Sequence, residues 1–130
     1  MAAASCARAR LAAQTDRGLV VPSIERAAQY SARELTEQIA ALVERARDGK
    51  CSPAELTRGT FTLNNYGVFG TDGATPIINH PEVAIVGPNK LIERPVVQNG
   101  QVVVRKMMNL SSSFDHRIVD GYDAASFVQR

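Results

Sequence analysis

Two histidines, His80 and His116, occur in the 130-residue chain. His116 stands beside Asp115 and shortly ahead of Asp120-Gly121. Imidazole is the side chain best suited to accept a proton near neutral pH, and a nearby carboxylate can hold it in one tautomer. Type and spacing fit a general base shown on a loop. From these residues alone a surface or structural histidine fits too, and so does a metal site shared with Asp120, although that site has no evident third ligand. Arg117 is placed to pair with a carboxylate and lock the loop. The run Ser111-Ser112-Ser113 lacks the G-x-S-x-G elbow of a nucleophilic serine, so it reads as sheet or pocket lining. His80-Pro81 falls between turn signals and reads as structural.

A loop of this kind needs a strand before it and a helix after it. Lys106 to Phe114 alternates at Met108, Leu110, Ser112 and Phe114, which predicts a strand. Ala124, Ala125, Phe127 and Val128 begin a helix. Upstream, Gly18 to Ile24 predicts a short strand ending at or near Pro22, which has no amide donor. Ser31 with Glu34 is a capping box. Leu35, Ile39, Leu42, Val43 and Ala46 then recur at helical spacing, with Gly49 as the stop. Ser52-Pro53 opens a second, brief helix. Thr60–Asn64 and Val83–Val86 read as strands. Asn99-Gly100 joins two valine-rich runs, 95–98 and 101–104, into a hairpin. Helix, then strands and a hairpin, then helix predicts an α/β or α+β sheet layered with helices.

Composition narrows the partners. A formal charge of +2 with no tryptophan gives neither a basic grip nor stacking platforms for nucleic acid. No apolar run approaches the roughly 20 residues that cross a bilayer, so no membrane partner is expected. Cys6 and Cys51 are far apart and fit free thiols in a reducing compartment. Residues 1–13 are alanine-rich with Arg8 and Arg10 and no acid, like a transit peptide or a translated leader. Composition therefore sets a leader over 1–13 apart from the domain over 14–130.

The stretch from Phe114 to Gly121, FDHRIVDG, resembles the signature of the catalytic domain of dihydrolipoamide acyltransferases, the core components of 2-oxoacid dehydrogenase complexes. Three other stretches agree in order: Thr15 to Pro22, Gly59 to Gly67, and Thr75 to Ile85. The resemblance implies a chloramphenicol acetyltransferase-like α/β fold, a two-layer sheet with helices. It implies coenzyme A as a substrate and a lipoyl group carried on a domain absent from this chain. It makes His116 the base that deprotonates a thiol, gives Asp120 the supporting acidic or amide position, and puts Asn64 where a serine or threonine hydroxyl commonly stabilises the oxyanion. An asparagine N–H can donate there as well. Gly87-Pro88-Asn89-Lys90 replaces a glycine-rich turn, and Tyr122 replaces a small residue.

The same resemblance implies a homotrimer within a cubic or icosahedral core, its site shared between subunits. The implied partners are decarboxylating dehydrogenase and dihydrolipoamide dehydrogenase components. Cytoplasm is the expected compartment from the bacterial wording of the motifs, with the mitochondrial matrix as the alternative. The family's domain is about twice as long as this chain, which is therefore expected to be an incomplete domain. Two other functions stay open: a catalytically inactive fragment or assembly piece, and a free-standing coenzyme A-dependent acyltransferase on a small acceptor.

Overall fold

The chain is described by a computed structural model over residues 8–57 and 59–129. Cys6 and the start of the expected leader lie outside them. The main sheet has five strands in the order β4-β1-β5-β6-β9. Its centre is parallel: β1 (Ala9–Leu11) beside β5 (Phe61–Leu63), and β5 beside β6 (Ala84–Pro88). The flanks, β4 (Ser23–Ile24) and β9 (Leu110–Phe114), run antiparallel to their neighbours. Two separate ribbons complete the strands: β2 (Ala13–Thr15) with β3 (Gly18–Val20), and β7 (Ile92–Gln98) with β8 (Gln101–Met107).

Local chemistry accounts for the helices. Helix α1 (Ala32–Arg47) starts where Ser31 Oγ accepts the Glu34 N–H and the Glu34 carboxylate accepts the Ser31 N–H. Two backbone donors that the helix leaves unpaired are thereby satisfied. The apolar stripe turns inward at Leu42 and Ala46, which are buried, and the helix packs on β2 and β4. Gly49 takes a φ of 71°, ending the helix where a side chain would be strained. Helix α2 (Pro53–Thr57) follows the Ser52 cap, and α3 (Gly121–Val128) follows Asp120. At the hairpin tip Asn99 and Gly100 both adopt positive φ, as a tight turn between twisted strands requires.

The structure differs from the sequence reading in three places. The run from Gly18 to Ile24 is two strands, not one. The chain breaks at Pro22, whose carbonyl accepts the Leu11 N–H at 2.9 Å while its own ring donates nothing. The run from Lys106 to Phe114 is also broken, because Met108-Asn109 carry the chain from the hairpin ribbon to the main sheet. The Asn109 carbonyl there takes the Asn89 N–H at 2.9 Å. Finally, residues 9–11 and 13, grouped by composition with the leader, lie in β1 and β2. Alanine-rich sequence with spaced arginines reads the same in a leader and in a short strand whose arginines are paired by distant residues.

Candidate active site

The loop from Phe114 to Gly121 is held by its own residues. Arg117 donates from Nε and Nη2 to both oxygens of Asp115, at 2.9 Å and 2.7 Å, and its backbone N–H reaches Oδ1 at 3.0 Å. The guanidinium and that N–H hold the Asp115 carboxyl down at about 2. The Asp115 carbonyl accepts the N–H groups of Ile118 and Val119, each at 2.9 Å, which closes the turn. The Asp115 N–H is anchored to the Val83 carbonyl at the start of β6, at 2.8 Å. Asp115 is thus spent on the loop.

His116 is exposed at the tip of that turn, its ring packed on Phe114 with centroids 5.6 Å apart. Asp120 is the cap of α3, accepting the Asp123 N–H at 2.9 Å. Its observed bond is to the helix rather than to the imidazole. Among the described residues, no group of three His, Cys, Asp or Glu side chains converges as a metal site would require.

Asn64 lies elsewhere in the chain. It follows β5 and shares the face of Thr62, since alternate residues of a strand point the same way. That face opens into a groove of about 620 Å³ lined by Asn64, Thr62 and Ile85, by Ala12, Leu19 and Val21, and by the segment from Thr75 to Asn79. The Asn64 N–H is fixed on the Val86 carbonyl at 2.9 Å. Gly87 lets this approach happen: a Cβ there would overlap the Tyr66 ring and the Asn64 carbonyl. The opposite face carries Phe61, Ala84, Val86 and Phe114 against α3, where Phe127 meets Phe61 edge-on at 6.0 Å. His116 is not among the residues lining the Asn64 groove.

Beneath the groove lies a polar network that the sequence reading passed over. Glu82, with a side chain 2 % exposed, pairs with Arg10 at 2.9 Å. Its carboxylate also accepts the Thr62 hydroxyl and, at 3.3 Å, the Asn79 amide. Arg10 Nε donates to the Val21 carbonyl at 3.0 Å. β1, β5 and the 75–82 segment are thereby tied together. The available signal was an acid, Glu82, inside the apolar run Val83–Val86 and its approach. The three serines are structural in part: Ser111 Oγ takes the Ala74 N–H and the Asn89 amide, each at 2.9 Å, and Ser113 Oγ donates to the Pro76 carbonyl at 2.6 Å.

Residues 10–130 match the family described as 2-oxoacid dehydrogenases acyltransferase (catalytic domain). Over 119 residues the chain is 54% identical to the lipoamide acyltransferase component of the branched-chain alpha-keto acid dehydrogenase complex of Pseudomonas aeruginosa, covering 92% of this chain and 28% of that protein. Over 118 residues it is 48% identical to the succinyltransferase component of the 2-oxoglutarate dehydrogenase complex of Haemophilus influenzae, covering 91% of this chain and 29% of that one. The chain therefore spans under a third of the length of these relatives. Among solved structures, a probable dihydrolipoamide acetyltransferase from Listeria monocytogenes superposes with a TM-score of 0.89 at 39% identity, over 95% of this chain and 53% of that one. The dihydrolipoamide acetyltransferase of Azotobacter vinelandii gives 0.87 at 36%, over 95% and 51%. That structure was studied for the role of a serine, a histidine and an asparagine in its catalytic mechanism. The fold is thus that of the dihydrolipoamide acyltransferase catalytic cores, the chloramphenicol acetyltransferase-like arrangement expected from the sequence.

Proposed function

The chain belongs to the acyltransferase catalytic-domain family of the 2-oxoacid dehydrogenases, and on that premise we propose that it serves acyl transfer between dihydrolipoamide and coenzyme A. One observation carries the site assignment. The serine, histidine and asparagine studied in the Azotobacter enzyme are separated along that chain by the same intervals as Asn64, His116 and Asp120 here. His116 is then the base, Asn64 the oxyanion donor and Asp120 the supporting residue.

The chemistry follows from those roles. The His116 imidazole takes the proton of the incoming thiol. The resulting thiolate attacks the thioester carbonyl carbon, forming a new S–C bond and pushing an electron pair onto oxygen. The Asn64 amide N–H donates to that oxyanion. Collapse breaks the original C–S bond, and the departing thiolate recovers the proton from the imidazolium. Atoms, electrons and charge balance, and the enzyme returns to its starting state. Thiols ionise near 8.5, so a neutral imidazole is a competent base for them.

His116 and Asn64 lie in different places of one chain, which supports a site completed by a second copy in a trimeric core. The cubic core of a pyruvate dehydrogenase complex is among the solved structures of this fold, at a TM-score of 0.87. Decarboxylating and lipoamide-reoxidising dehydrogenase components are the partners this reading requires, with the bacterial cytoplasm as the compartment. The same separation of base and donor favours one rival, an assembly piece without turnover of its own.

The deciding measurement is thiol-dependent acyl transfer from acetyl-coenzyme A to dihydrolipoamide, compared between the wild type and His116→Ala. Turnover abolished by the substitution supports the reading. Turnover untouched by it removes His116 as the base, and its absence from both leaves the assembly piece.

A further inference from the structure

We propose that the groove beside Asn64 takes an uncharged aliphatic acyl chain and rejects a dicarboxylic one, an inference that rests on the acyl-transfer reading and names the substrate class of that site. A thioester whose carbonyl oxygen lies on the Asn64 amide sends its acyl chain into the space that amide lines. Most of that lining is hydrocarbon: Ala12, Leu19, Val21, Ile77, Ile78 and Ile85. The polar members, Thr62, Tyr66, Thr75, Asn79 and Asn64 itself, are neutral.

Among the described residues the one charged group lining the groove is Arg10, and its charge is already committed. Its guanidinium faces Glu82 at 2.9 Å across a pair in which the acid is 2 % exposed, and its Nε is held by the Val21 carbonyl at 3.0 Å. Two further donors, Thr62 and Asn79, complete the shell of that carboxylate. A second carboxylate arriving on an acyl chain would lose its water and find no free cation among the described residues of this chain that line the groove. It would also meet the field of Glu82 behind Arg10. Burying a charge without a partner is costly, whereas an aliphatic chain gains by leaving water for this lining.

The test uses the full chain in its assembled form and measures kcat/KM for transfer to dihydrolipoamide from isobutyryl-coenzyme A and succinyl-coenzyme A. A preference for isobutyryl on the order of a hundredfold is expected, the size that a few kcal/mol of uncompensated desolvation produces. Equal or better use of succinyl overturns the inference and leaves the acyl-transfer reading standing. No transfer of either donor overturns that reading and the inference with it. A second arm uses Ile77→Arg, which places a cation at the groove from a residue 89% exposed, where the fold does not depend on the side chain. The isobutyryl-to-succinyl ratio is expected to fall about tenfold through better use of succinyl. An unchanged ratio takes this groove out of acyl recognition and overturns the inference.

Discussion

The two regions assigned to the chemistry are built in opposite ways. The Asn64 groove is held from far off: Arg10 and Glu82, 72 residues apart in sequence, meet beneath it in a nearly dry ion pair. The His116 loop is held from within, by Asp115 and Arg117, two residues apart, in an ion pair whose arginine is exposed. A charge pair out of water is expensive to break, because either partner alone is left buried and uncompensated. An exposed pair is easily replaced by water and ions. The groove side should therefore fail through the fold, and the loop side through the chemistry.

Substitutions at the proposed base and oxyanion donor give the largest expected effects. His116→Ala should lower kcat by about 10²–10⁴, the usual contribution of a positioned base, with the thermal midpoint unmoved because the ring is exposed. Asn64→Ala should lower kcat by about 10²–10³ with a smaller change in KM, as loss of an oxyanion donor does. Steady-state kinetics beside a thermal melt checks both. A melt displaced by several degrees for His116→Ala would contradict the picture of a self-contained loop.

The same contrast decides what the sequence made legible. Contiguous codes were readable: the Ser31–Glu34 capping box, the Asn99-Gly100 turn, and the loop from Phe114 to Gly121 each carry their determinants within a few residues. Distant pairing was not. Arg10 looked like part of an alanine-rich leader because nothing near it in sequence marks it as the partner of Glu82. Glu82 carried no mark of its burial, which depends on Arg10 and Thr62 arriving from two other segments. Gly87 carried no sign that its missing side chain makes room for the Asn64 carbonyl and the Tyr66 ring. The resemblance proposed a supporting part for Asp120, and its capping of α3 follows from the helix that begins at Gly121, whose start the sequence placed only approximately.

Next in size is Glu82→Gln, which leaves the Arg10 charge buried without its counter-ion. A loss of about 3–5 kcal/mol is expected on denaturant unfolding, a large share of the roughly 5–15 kcal/mol that holds a domain together. Arg10→Met, which removes the cation and leaves Glu82 alone, should cost a similar amount. Replacing both partners by apolar side chains should restore much of it, since the penalty lies in the unpaired charge. A double variant no more stable than either single one would show that the pair acts through more than its charges. Asp120→Ala should cost about 1 kcal/mol as a lost helix cap. An activity loss beyond what fraying α3 explains is expected from its proposed supporting part, and activity that only follows the fraying would confine Asp120 to the cap.

The smallest effect is the most specific to the loop. Arg117 holds the Asp115 carboxyl at about 2, below its ordinary 3.8. A depressed acid stabilises the native state fully above its ordinary value, and that contribution is lost as pH falls through the folded one. The clamp should thus be intact at neutral pH and should open only between about 4 and 2. Carboxyl NMR of Asp115 reads this directly. Arg117→Ala should return the titration toward 3.8, while added salt should shift the wild-type value part of the way, since the Arg117 side chain stands in water. The stability loss from breaking the Arg10–Glu82 pair, shielded by the strands around it, should change little with the same salt. An Asp115 titration that ignores salt would mean the loop is closed off from solvent, and the contrast between the two regions would then be one of sequence distance alone.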